Sequence, residues 1–77
     1  MGLRLQTIKY ECGNNPPDVL EDMPAPDYPA HELLDTAKFF FFMMRGQGSP
    51  LEAVRFLDED GSEIVRFGAR EEAAASG

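Results

Sequence analysis

One cysteine, one histidine and fourteen carboxylates set the chemical repertoire of this 77-residue chain. Nucleophilic catalysis would pair the Cys12 thiol with the His31 imidazole, the general base such a thiol needs. No local motif joins the two, and Cys12 reads better as a small apolar residue at the end of a strand. A metal site would draw on His31 and Asp35, spaced i, i+4 on a predicted helix, with Asp27 or Glu32 nearby. Nitrogen and oxygen ligands from a single helix make a thin set. Asp58-Glu59-Asp60-Gly61-Ser62-Glu63 has the flavour of a calcium loop but lacks the EF-hand ligand order. Gly46-Gln47-Gly48-Ser49 is followed by no Gly-Lys-Ser/Thr and is not a phosphate-cradling P-loop. Carboxylates are abundant, but without a partner base or a fixed spacing they form no catalytic constellation. A chain this short also rarely builds a large pocket while keeping a core. The expectation is a protein that is not an enzyme and holds no metal and no cofactor.

The acids carry a different message. Seven basic residues against fourteen acidic ones give a net charge of −7. Residues 1–9 carry only Arg4 and Lys9. Residues 10–37 carry Glu11, Asp18, Glu21, Asp22, Asp27, Glu32 and Asp35 with no Lys or Arg, so this stretch alone matches the net charge. Asp58, Glu59, Asp60 and Glu63 form a second cluster. Such a field repels DNA, RNA and anionic lipid and attracts basic protein surfaces. The plain alternative is a solvated surface that only keeps the chain dispersed.

The elements that must position these residues follow from length and pattern. With 43% hydrophobic and 27% charged residues, the chain reads as one small globular domain. Its longest apolar run, Phe39 to Met44, is far short of the ~20 residues of a membrane span. Met1-Gly2-Leu3-Arg4 shows no apolar leader core and Cys12 has no disulfide partner in the chain, so the expected setting is cytoplasmic, away from membranes. Leu3 to Cys12 reads as a strand in which Ile8, Tyr10 and Cys12 alternate with polar residues while Leu3 and Leu5 have the opposite phase. Either a bulge near Gln6-Thr7 or burial of the other face by the first half explains the switch. Residues 13–28 read as a Pro-rich acidic loop, with a short helical turn over Asp18 to Asp22.

Pro29 to Arg45 has helical period. Ala30, Leu33, Leu34, Ala37, Phe40, Phe41 and Met44 fall on one face, and Gly46 suits the position after the C-cap. Lys38 to Met44 is also compatible with a buried strand. Four consecutive phenylalanines cannot share one helix face. With Phe40 and Phe41 inward, Phe39, Phe42 and Met43 point away, beside Glu32 and Asp35, and need a cover. The 13–28 loop, a second copy of the chain or a partner would supply it. Ser49-Pro50-Leu51-Glu52 matches a capping box. Val54 to Phe67 reads as a β-hairpin about Asp60-Gly61 that pairs Leu57 with Ile64, Phe56 with Val65 and Val54 with Phe67. A three-residue loop, Glu59 to Gly61, would slip that register and mix the faces. Residues 71–77 read as a frayed tail beyond a single domain over 1–70.

The order strand, loop, helix, hairpin gives an α+β class: a βαββ domain with a three-stranded antiparallel sheet packed on one helix. A short, net-acidic domain of this layout resembles the small anti-CRISPR proteins of phages and mobile elements, in architecture over the whole chain rather than in any motif. The resemblance implies binding to a CRISPR effector complex and blocking of its DNA recognition or cleavage. Independently of it, acids beside uncovered apolar side chains describe a protein-binding surface that suits a basic protein or nucleoprotein complex and contacts no nucleic acid directly. The residues expected to carry it are Asp18, Glu21, Asp22, Asp27, Glu32, Asp35, Phe39, Phe42, Met43, Asp58, Glu59, Asp60 and Glu63. A structural or regulatory subunit, or an antitoxin or immunity protein assembling through its apolar helix face, is the competing class.

Overall fold

The computed structural model describes residues 2–11 and 13–76. Cys12, and with it any Cys12–His31 pairing, lies outside the described residues. The fold is α+β. Strand β1 (Leu3–Lys9) and strand β2 (Asp18–Ala25) are followed by a 3₁₀ turn (Ala30–Glu32) and helix α1 (Leu33–Gly46). Strands β3 (Ala53–Leu57) and β4 (Glu63–Gly68) and helix α2 (Ala69–Ser76) complete it. The sheet has four strands in the order β2-β1-β3-β4, all neighbours antiparallel. Strands β2 and β3 therefore run parallel to each other with β1 between them, and α1 is the crossover.

The expected strand count is corrected here. The sheet gains a strand because Asp18–Ala25, expected to be loop and helical turn, pairs along β1 from Leu3↔Ala25 to Lys9↔Asp18. Its one proline, Pro24, and its acids are tolerable because β2 is an edge strand, where a missing amide removes no ladder bond on the solvent side. Residues 71–76 belong to helix α2.

Strand β1 resolves its phase switch by burying both faces: Leu5, Gln6, Thr7 and Ile8 are all buried. Leu5 joins Val54, Phe56 and Phe67 under α1, whose Leu33, Ala37 and Phe41 complete that core with Leu51. A pairing shift also lies between Thr7 and Ile8, where Leu20 of β2 is the extra residue. Phe41 and Phe56 are almost completely buried, and each such side chain contributes about 1.5–3 kcal/mol of transfer free energy. Ala30 and Leu34, expected in the core, are exposed.

The hairpin keeps the expected Val54↔Phe67 and Phe56↔Val65 pairs, but Leu57 pairs with Glu63 rather than Ile64. The Asp58 amide donates to the Ser62 carbonyl, closing a three-residue loop, Glu59 to Gly61. Ile64 is then the extra residue that restores the register. The helix runs through Gly46, and the left-handed residue after its cap is Gly48, at φ 90°. The Gly48 amide donates to the Arg45 carbonyl and the Ser49 amide to the Met44 carbonyl, the paired bonds of a Schellman end. Ser49 to Glu52 forms no helical turn; the Glu52 amide bonds the Ile8 carbonyl and leads into β3.

A Cβ on Gly68 would collide with the Glu52 carbonyl oxygen, the Tyr10 hydroxyl and Ala53. Gly68→Ala is expected to destabilise by about 1–3 kcal/mol, lowering Tm by ~4–8 °C per kcal/mol. Gly46, helical and facing open space, gives the opposite sign: Gly46→Ala should stabilise by about 0.5–1 kcal/mol. Thermal denaturation of both variants checks the pair.

Candidate functional site

The reverse face of the sheet uses up most of the chain's basic groups. Arg4 Nε donates to Asp22 Oδ1 at 2.8 Å across β1 and β2. Arg55 Nε donates to Gln6 Oε1 at 2.9 Å, and Arg66 Nη2 meets Glu63 Oε1 at 2.9 Å, with Arg55 Nη1 3.5 Å from the same oxygen. Glu11 stands 3.7 Å from Arg66 and 3.6 Å from Arg70. The stripe ends where Arg70 stacks 3.9 Å from the centre of the Tyr10 ring. The Tyr10 hydroxyl accepts the Arg70 amide and donates to Glu71, tying α2 to the sheet. Burial raises the Tyr10 hydroxyl above its ordinary pKa; the Arg70 amide opposes the shift and Glu71 adds to it. Burial works against the Arg66 charge, but Glu63, helped by Glu11 and Glu71, outweighs it and holds the group above its usual value. The hydrogen bond from Arg4 keeps the Asp22 carboxyl below the ordinary carboxylate value.

Asp22 and Glu63 are thus engaged inside the fold. Asp18 stands opposite Lys9 at the start of β2. Glu21 lines a groove with Leu20, Met43 and Met44 near the C-terminal end of α1. Asp60 is exposed in the hairpin turn. Asp58 Oδ1 accepts the Asp60 and Ser62 amides, so one of its oxygens shapes that turn.

The remaining acids come together from distant parts of the chain. Asp27, just past β2, shares a groove with Asp58 and Glu59 of the hairpin tip, floored by Gly2 and Leu3. Tyr28, the next residue, lines a second groove with Glu32, Asp35, Thr36, Phe39 and Phe40. The two acidic clusters of the sequence therefore adjoin through Asp27-Tyr28. Among the described residues no Lys or Arg pairs with these five acids; Glu32 has only His31, at 3.6 Å. Phe39 is 62% exposed and Phe42 53%. Phe42 leans on Phe41 and Phe67, whereas Phe39 stands with Phe40 beside the acids. Tyr28 was not among the residues expected at the site. Only its place next to Asp27, ahead of the helix, hints at the role.

Among the described residues no group of three or more His, Cys, Asp or Glu is placed to hold a metal ion. No described helix is long and apolar enough to cross a membrane. The chain matches no protein-family model, no curated protein and no solved structure.

Folded Asp22 titrates below its unfolded value of about 3.8, so the Arg4–Asp22 stabilisation is complete above that value and is lost as pH falls through the depressed one. Urea midpoints should therefore drop on acidification below pH ~4, and Asp22→Asn should show a shallower drop. Identical pH profiles would show that the pair contributes nothing.

Proposed function

We propose that the protein is a small acidic protein-binding inhibitor that occupies a basic, nucleic-acid-binding surface of a partner, of the kind that blocks target-DNA binding by a CRISPR effector complex. The observation that supports this reading is the meeting of Asp27, Asp58 and Glu59 with Glu32, Asp35 and Phe39, acids that no Lys or Arg pairs with among the described residues, beside an uncovered aromatic ring. Carboxylates give long-range attraction to Lys- and Arg-rich surfaces, and the aromatic ring gives short-range affinity. The arginine stripe narrows the surface: Asp22 and Glu63 serve the fold, and the attraction falls to the five acids around Asp27-Tyr28.

A second reading rests on Phe42, more than half exposed beside the outer strand β4 with Ile64 also uncovered. There a small structural or regulatory subunit, or an antitoxin or immunity protein, would assemble through the helix, as a homodimer or with a partner subunit.

The test is partner capture at low and high salt, followed by a DNA-displacement assay on the captured complex. The inhibitor reading expects retention of a basic nucleic-acid-binding complex that weakens with salt. Asp27→Lys with Glu32→Lys and Asp35→Lys should weaken it at least ~tenfold, about 1.4 kcal/mol. Retention indifferent to these changes sinks the reading. Loss of self-association on Phe42→Glu, measured by sedimentation, would favour the subunit class instead.

A further inference from the structure

We infer that the groove formed by Tyr28, Glu32, Asp35, Thr36, Phe39 and Phe40 is a seat for one arginine side chain of a basic protein partner. The inference deepens the binding role proposed above and rests on it. The groove has a volume of about 290 Å³. Two of its three rings are anchored: Tyr28 meets the buried Phe56 edge to face at 5.9 Å, and Phe40 packs on the core. Phe39 meets the Phe40 ring at 5.5 Å and 73° and stays largely open to solvent. Of the three, Phe39 is the exposed ring and Tyr28 and Phe40 are half-buried, and an aromatic face open to solvent attracts a cation.

The charges point the same way. Glu32 and Asp35 bring two carboxylates to the groove, which outweigh the roughly +0.5 charge of the α1 N-terminus. The chain's own cations stack elsewhere: Lys38 over Phe67, Arg45 over Phe41, Arg66 and Arg70 over Tyr10. Among the described residues, no Lys or Arg stacks on Tyr28, Phe39 or Phe40. A second copy of this chain is a poor occupant, because two chains that each carry a net charge of −7 repel each other. Arginine suits the site better than lysine, since a planar guanidinium stacks on a ring while its N–H groups reach a carboxylate.

The probe is acetyl-Gly-Arg-Gly-amide titrated into the ¹⁵N-labelled full chain, with the citrulline peptide as its uncharged counterpart and the lysine peptide beside it. Amide shifts are expected at Glu32, Asp35, Thr36, Phe39 and Phe40, strongest with arginine and absent with citrulline. Phe39→Ala, at an exposed position, should weaken the response about fivefold, the loss of one cation–π contact. Glu32→Gln with Asp35→Asn should weaken it further. Shifts spread equally over Asp18 and Asp60, an equal lysine response, or no response at all would each overturn the assignment. Partner capture that survives Phe39→Ala yet is lost on Asp27→Lys with Glu59→Lys would remove this seat and leave the wider acidic-surface reading standing.

Discussion

A four-stranded sheet with its main helix on one face must make the other face compatible with water, and here the solution is arginine. Ile8, Ala53 and Leu57 lie on the reverse face and are nonetheless buried. The neighbouring Arg55 and Arg66 side chains are only 18% and 20% exposed. Their aliphatic stems can shield apolar neighbours while their heads pair with Gln6, Glu63 and Glu11. The exposed Arg4–Asp22 pair adds little by itself. The larger effect of these pairs is to decide where positive charge resides.

That decision organises the rest of the surface. The chain has seven Lys and Arg. Arg4, Arg55, Arg66 and Arg70 are committed to the stripe, and Lys38 and Arg45 lie over core phenylalanines. The acids of the stripe are balanced locally, and the imbalance falls around Asp27-Tyr28 and the hairpin tip. Charge concentrated in residues 10–37 of the sequence is thus redistributed by the fold, part of it into internal pairs and part of it to this surface.

The sequence made legible whatever depended on local period or turn chemistry. Leu33, Ala37 and Phe41 keep helical spacing, and Val54, Phe56, Val65 and Phe67 alternate about a Gly-containing turn, so helix and hairpin were readable in outline. The divergence of four adjacent phenylalanines placed Phe39 and Phe42 outside the core, as found. Strand β2 was not legible, because an edge strand needs little burial: Val19 and Leu20 remain exposed, and Pro24 mimics a loop signal. Its pairing comes from β1, a non-local partner. The same non-locality hid the neutralisation of Asp22 by Arg4 and the meeting of Asp27 with Asp58 and Glu59.

The position of β2 has a kinetic consequence. It is hydrogen-bonded to β1 alone, and its tip-to-tip pairing with that central strand is interrupted at Leu20. An outer strand with one neighbour can detach in a local opening, here with loss of the packing of Met23 and Ala25 on the helix-side core. Detachment bares the long edge of β1, and an unpaired strand edge is a template on which another chain can pair. Pro24 and the carboxylates along β2 discourage the outer side of the sheet from growing further, but they do nothing to protect the edge left behind.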